Sequence, residues 1–200
     1  MYGNLKKKYG QNFLIDNNIL RKIANLTSLN KLNVLEIGPG NGKLTDELLI
    51  KDPLKLTLVE IDKDLIADLT MKYNKYEFIK IINENILNIK FNLQYELVIS
   101  NLPYNISSQI LVKLSIMDKP PNKLILMFQK EFANRLLDKK INSINSIVKC
   151  FYNVRLCFHV SKTCFRPIPK VDSSVLIFSK RKEALLKIHE IDNFINFKRK

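Results

Sequence analysis

Tryptophan is absent from the 200 residues, histidine occurs only as His159 and His189, and the three cysteines, Cys150, Cys157 and Cys164, are evenly spaced singletons. This pattern matches neither a disulfide framework nor a paired-cysteine zinc site, and two isolated imidazoles do not make a metal centre. The cysteines are expected as small buried side chains. No apolar run approaches the ~18–20 residues of a membrane-spanning helix, and the basic stretch Lys6–Lys8 lacks the apolar segment of a secretion signal behind it. A cytoplasmic protein without a membrane partner is expected. Acidic residues are scarce, 19 against 33 Lys and Arg, which leaves a formal net charge of +14 and a sequence pI near 9.7. Such a field favours phosphate-rich partners, nucleic acid first and an anionic membrane second. Apolar residues make up 46% of the chain, enough to exclude disorder and to build one globular unit.

Asp16 is a candidate N-cap for a helix whose apolar face is Ile19, Leu20, Ile23 and Leu26. Val34–Ile37 is a short apolar run that stops at Gly38-Pro39-Gly40-Asn41-Gly42, after which Leu44, Leu48 and Leu49 resume a helical period. This strand, loop, helix unit repeats with Leu56–Val59, Glu60 and a helix over 62–73. Phe78–Ile82, Leu97–Ser100 and Leu124–Phe128 are further strands, with helices over 106–117 and 131–137. Their continuous apolar character suits parallel strands buried on both faces. The alternation predicts an α/β, doubly wound, mostly parallel sheet with its ligand beyond the carboxyl ends of the strands. Ile147–Val160 and Val171–Phe178 read as two long β segments forming an antiparallel hairpin at the sheet edge. The segment Lys180–Lys200 is basic and amphipathic, with an apolar helical face that nothing further in the chain covers.

The glycine loop lets a ligand approach backbone closely, because no Cβ intervenes. Its third glycine, Gly42, falls one place too early for a dinucleotide fingerprint, which disfavours a nicotinamide cofactor. Glu60, closing the next strand, is placed to accept both hydroxyl protons of a ribose, so a nucleoside-containing ligand fits. Asn101-Leu102-Pro103-Tyr104 sets an amide, a backbone carbonyl and an aromatic ring at the mouth of the sheet. An exocyclic adenine amine is a poor nucleophile because its lone pair is delocalised into the ring. Acceptance of its two protons by the Asn101 side-chain oxygen and the Leu102 carbonyl turns that lone pair toward a methyl donor. Tyr104 supplies a face for a flipped-out base.

The segments Tyr9–Leu14, Val34–Gly40, Asn101–Ser108, Gln129–Glu131 and Pro169–Ser174 resemble, in order and over nearly the whole chain, the ribosomal RNA adenine N6,N6-dimethyltransferases. Within that family Asn-Leu-Pro-Tyr and Pro-Lys-Val-Asp-Ser resemble the small-subunit (16S) branch, KsgA, more than the erythromycin-resistance 23S branch. The resemblance implies a Rossmann-like class I methyltransferase that uses S-adenosylmethionine. Its implied substrate is a pair of adjacent adenosines in the 3′-terminal hairpin of small-subunit rRNA, methylated by a monomer during ribosome biogenesis. It further implies that Asn12 and Leu14 contact the cofactor, that Gly38 and Gly40 line it, and that Glu60 holds its ribose. Asn101 bridges cofactor and target amine, Leu102 lends its carbonyl, Tyr104 stacks on the base and Phe165 closes the other face.

Two departures from the family pattern stand out. Asn85 occupies the position where the family usually carries an Asp for the cofactor's adenine amine, so a charged acceptor is replaced by a neutral one. Family members also continue into a helical domain, of which 181–200 resembles only a basic beginning. The expected organisation is a catalytic unit over 1–180 and the start of a truncated or missing domain over 181–200. Lys6–Lys8, lysines near the cleft and the Lys180–Lys182 run would then carry the phosphate contacts. A catalytically weak assembly factor of the same fold, or a 23S methylase, are the competing functions.

Overall fold

The computed structural model describes residues 11–91, 94–140 and 143–186. Seven strands form one sheet in the order β4-β3-β2-β5-β6-β9-β7: Asn33–Ile37 (β2), Lys55–Glu60 (β3), Ile79–Asn83 (β4), Leu97–Asn101 (β5), Lys123–Gln129 (β6), Tyr152–Val160 (β7) and Ser173–Lys180 (β9). The strands from β4 to β6 are parallel, whereas β9 is antiparallel to both β6 and β7. Alternate residues feed two cores. Leu35, Ile37, Val98, Leu124 and Leu126 join one with the helices Ser107–Ser115 (α4), Lys130–Leu137 (α5) and Ser143–Phe151 (α6). Val34, Leu58, Ile99, Ile125 and Met127 join the other with Asn17–Ala24 (α1), Lys43–Leu49 (α2) and Lys63–Tyr73 (α3). Period-two side-chain alternation with both faces covered explains why these strands are apolar throughout. The chain leaves β2 for β3 on one side and enters β5 on the other. The β2/β5 boundary is therefore the switch point at which such sheets bind ligands.

The expected parallel strands and their helices are present, and Asp16 caps α1 by accepting from the main-chain N–H groups of Asn18 and Ile19. The segment Ile147–Val160 is corrected: its first part is the end of α6, and only Tyr152–Val160 is strand. Ile147, Val148 and Phe151 recur at helical spacing and are buried together, so tertiary packing overrides the β preference of their branched side chains. The β7–β9 hairpin forms at the sheet edge as expected. A second, two-stranded sheet had no sequence signal: Phe13–Leu14 (β1) pairs antiparallel with Phe165–Arg166 (β8). It folds the N-terminal segment over the switch point. Among the cysteines only Cys150 is buried; Cys157 and Cys164 are half-buried, and none of the three is in a disulfide. Lys6–Lys8 and 187–200 lie outside the described residues.

Candidate active site

One cleft at the switch point is lined by Asn12, Leu14, Gly38, Gly40, Glu60, Asn85, Asn101 and Leu102, so every expected cofactor residue meets there. Gly38, Gly40 and Gly42 have φ of 65°, 60° and 76°, the left-handed region that glycine adopts without steric cost. A Cβ on Gly40 would fall 2.7 Å from Cε1 of Phe13, whose ring therefore lies directly on the loop. Gly42 is not among the residues lining the cleft; its carbonyl accepts from the Tyr73 hydroxyl at 2.7 Å, fixing the start of α2.

Glu60 is buried, and its Oε1 accepts from the main-chain N–H groups of Ile61 and Asp62, both at 2.9 Å. Its Oε2 takes one longer bond, 3.2 Å from the Gly40 N–H, and so keeps acceptor capacity for hydroxyls in the cleft. Burial pushes the Glu60 carboxyl up, against the pull of these three N–H groups. At the end of β4, Oδ1 of Asn85 accepts from Leu87 N–H at 3.0 Å and the Asn85 N–H donates to Glu84 Oε1 at 2.7 Å. The turn thus takes one of the two acceptor positions of the Asn85 oxygen and leaves one, uncharged, on that side chain. Glu84 also lines this wall.

On the β5 side, the Asn101 amide nitrogen donates to the main-chain carbonyl of Asn12 at 3.0 Å. Because a carbonyl can only accept, this bond fixes the orientation of the amide and leaves Oδ1 as the acceptor. Ser100, one residue earlier, donates to the Ile37 carbonyl and ties β5 to β2 directly behind the glycine loop. Tyr104 follows Pro103, which lines the cleft, but does not itself line it; it is half-buried, its hydroxyl 2.6 Å from Ser173 Oγ. Burial pushes the phenol up to about 12, so it stays protonated.

Phe165 departs from expectation. Its side chain is 0% exposed, packed in the core cluster with Leu14, Val160 and Val175, and it offers no face to a base. The pairing of β1 with β8 covers it: Leu14 stands opposite Phe165 in that ladder. Glu36, in the middle of β2, was given no role by the sequence. It lines the same cleft, is 1% exposed, and accepts from Thr45 Oγ1 at 2.7 Å. Burial above all, with Asp46 and Glu60 nearby, pushes its carboxyl up to about 8. A carboxyl inside an otherwise apolar strand was the signal that could have found it. Phe13, over the loop, had no such signal because only the β1–β8 pairing brings it there.

These features fit S-adenosylmethionine. Glu60 Oε2 suits ribose hydroxyls, the Cβ-free backbone at Gly38 allows close approach, and Ile61 and Ile86 supply apolar walls. The Glu60 carboxylate, held by three main-chain N–H groups, supplies negative charge for a cationic ligand. No group of three or more metal-ligating side chains occurs among the described residues.

The family model for ribosomal RNA adenine dimethylase matches residues 3–200. The chain is 41% identical over 204 residues to a ribosomal RNA small subunit methyltransferase A of Pelagibacter ubique, covering 96% of this chain and 76% of that protein. It is 38% identical over 182 residues to the protein of the same name from Mycoplasmopsis pulmonis, covering 88% and 71%. Among solved structures, a dimethyladenosine transferase from Plasmodium falciparum superposes with a TM-score of 0.82 at 30% identity, over 92% of this chain and 69% of that one. The 23S rRNA methyltransferase ErmE superposes with a TM-score of 0.78 at 27% identity, over 92% and 76%. The chain belongs to the ribosomal RNA adenine dimethylase family, whose methyl donor is S-adenosylmethionine.

Proposed function

We propose that the protein dimethylates N6 of two adjacent adenosines in the 3′-terminal hairpin of small-subunit rRNA, acting as a cytoplasmic monomer in ribosome biogenesis. The observation that carries this reading is the Asn101 amide. Its NH2 is held by the Asn12 carbonyl, so its oxygen is left for the target amine. With the Leu102 carbonyl as second acceptor, both amine protons are engaged and the nitrogen lone pair is turned out of conjugation toward the cofactor cleft. S-adenosylmethionine, when bound, supplies the electrophilic methyl group. No strong base is needed before transfer, because the alkylated nitrogen loses its proton readily to water. Tyr104 holds the extruded base on its ring face, and its bond to Ser173 fixes the ring. The small-subunit substrate is supported by the names of the relatives matched at 38% and 41% identity. We assign 1–180 to the catalytic unit.

The test is transfer of labelled methyl from S-adenosylmethionine to unmethylated small subunits, with large subunits in parallel, followed by nucleoside mass analysis. Dimethyladenosine in small-subunit RNA, lost in Asn101→Ala, is the expected result. Transfer to large subunits alone overturns the substrate. Binding of cofactor and subunit without transfer overturns the enzymatic reading in favour of an assembly factor.

A further inference from the structure

A second groove, linked to Tyr104 through Asp172 and Ser173, is lined among others by Lys130, Lys162, Lys170 and Asp172. The three lysines come from different elements: Lys130 is the first residue of α5, Lys162 begins a 3-10 turn after β7, and Lys170 lies in the loop before β9. All three are exposed, and among the described residues none of their ammonium groups is in an ion pair. Asp172 joins the three segments. Its carbonyl accepts from the Lys130 N–H at 2.9 Å, its Oδ1 accepts from the Lys162 N–H at 3.0 Å, and it follows Lys170 by two residues. The next residue is Ser173, the hydrogen-bond partner of Tyr104.

We propose that this groove binds backbone phosphates of the nucleotides flanking the target adenosine, and that Asp172 is the positioning residue that assembles it. The inference rests on the functional reading above. Cations brought together from separate segments around one groove match the repeating charge of a nucleic-acid strand. The Asp172–Ser173 link puts that strand beside the base held by Tyr104. The carboxylate of Asp172 is engaged by main-chain N–H at Lys162, so its effect is to place lysines and not to neutralise them. Glu131, also in the lining, faces the same solvent and lowers the field without closing the groove.

The experiment measures binding of the small-subunit 3′-terminal hairpin RNA over a salt series, with cofactor affinity as the folding control. Three variants are compared with wild type: the combined Lys130→Gln, Lys162→Gln, Lys170→Gln protein, Asp172→Ala, and Asp172→Asn. A combined Lys31→Gln, Lys55→Gln, Lys119→Gln protein, altered at the amino ends of the strands, serves as the charge-matched control. Each phosphate contact on a single strand contributes a slope of about 0.7 in log affinity against log salt, so the cleft variant should lose about 2 in slope while the control changes little. Asp172→Ala should move the same way to a smaller extent. Asp172→Asn keeps an oxygen for the Lys162 N–H and should bind at least as tightly as wild type. A wild-type slope in the cleft variant overturns the groove, as does an equal loss in the control. So does unchanged binding to naked RNA with weakened binding to whole subunits, which assigns the lysines to an acidic ribosomal protein. Wild type that neither binds nor methylates the RNA overturns the functional reading itself. Wild type that methylates while the cleft variant keeps its slope removes the groove alone.

Discussion

Replacing Asn85 by Asp should tighten S-adenosylmethionine binding, and the turn around it sets the size of the effect. In the native turn the Asn85 oxygen already accepts from the Leu87 N–H at 3.0 Å, so one uncharged acceptor position remains on it. An adenine amine is itself a donor and finds there only a neutral, shared acceptor. With Asp, one oxygen keeps the Leu87 bond and the other replaces the NH2 as an acceptor. A hydrogen bond to a charged group contributes about 1.5–3 kcal/mol, against about 0.5–1.5 kcal/mol for a neutral one. Repulsion from Glu84 works against the gain, but Glu84 is exposed and its charge is screened. A net gain of about 1 kcal/mol corresponds to an approximately fivefold lower Kd. Isothermal titration with S-adenosylmethionine and with the analogue whose adenine amine is replaced by a carbonyl oxygen isolates the contact. The gain should appear with the amine-bearing ligand and vanish with the analogue. Unchanged or weaker binding, or equal tightening of both ligands, refutes the reasoning.

Three other perturbations separate roles that the sequence merges. Tyr104→Phe keeps the ring face and loses only the Ser173 bond, so kcat/KM should stay within about threefold, whereas Tyr104→Ala should lose about 1–3 kcal/mol of base stacking in steady-state assays. Phe165→Ala should lower stability by about 3–5 kcal/mol in urea denaturation, as expected for a buried aromatic. An activity loss that persists where that variant is fully folded would instead place Phe165 against the base. The Glu36 carboxyl, raised from 4.5 to about 8, binds its proton more tightly in the folded state. Its contribution to stability is therefore intact below about pH 4.5 and declines as pH rises through 8. Melting temperatures measured from pH 5 to 9 should fall less steeply for Glu36→Gln than for wild type, and parallel profiles would contradict the shift.

Much of the site was legible because it follows from strand ends. Val34–Ile37 and Leu97–Ser100 are apolar enough to be read as buried strands, and Gly38, Glu60, Asn85 and Asn101 follow strands in a fold whose ligand lies there. Ile147–Phe151 was misread because branched and aromatic side chains carry a strand preference that burial between α4, α5 and the sheet overrules. The burial of Phe165 was not legible for a related reason: a motif names a residue, not the way its ring faces.

The sequence by itself determined the order of the parallel strands and the helices between them, the glycine loop, the Asn-Leu-Pro-Tyr motif and the positive charge, since each is a local property of composition or spacing. Tertiary structure alone decided the pairing of Phe13–Leu14 with Phe165–Arg166, the burial of Phe165 and Glu36, the orientation of the Asn101 amide by Asn12, and the gathering of three lysines around Asp172. Each of these depends on contacts between residues far apart in the chain. Two-residue strands and single hydrogen bonds leave no periodicity in the sequence, and only the folded chain brings their partners within reach.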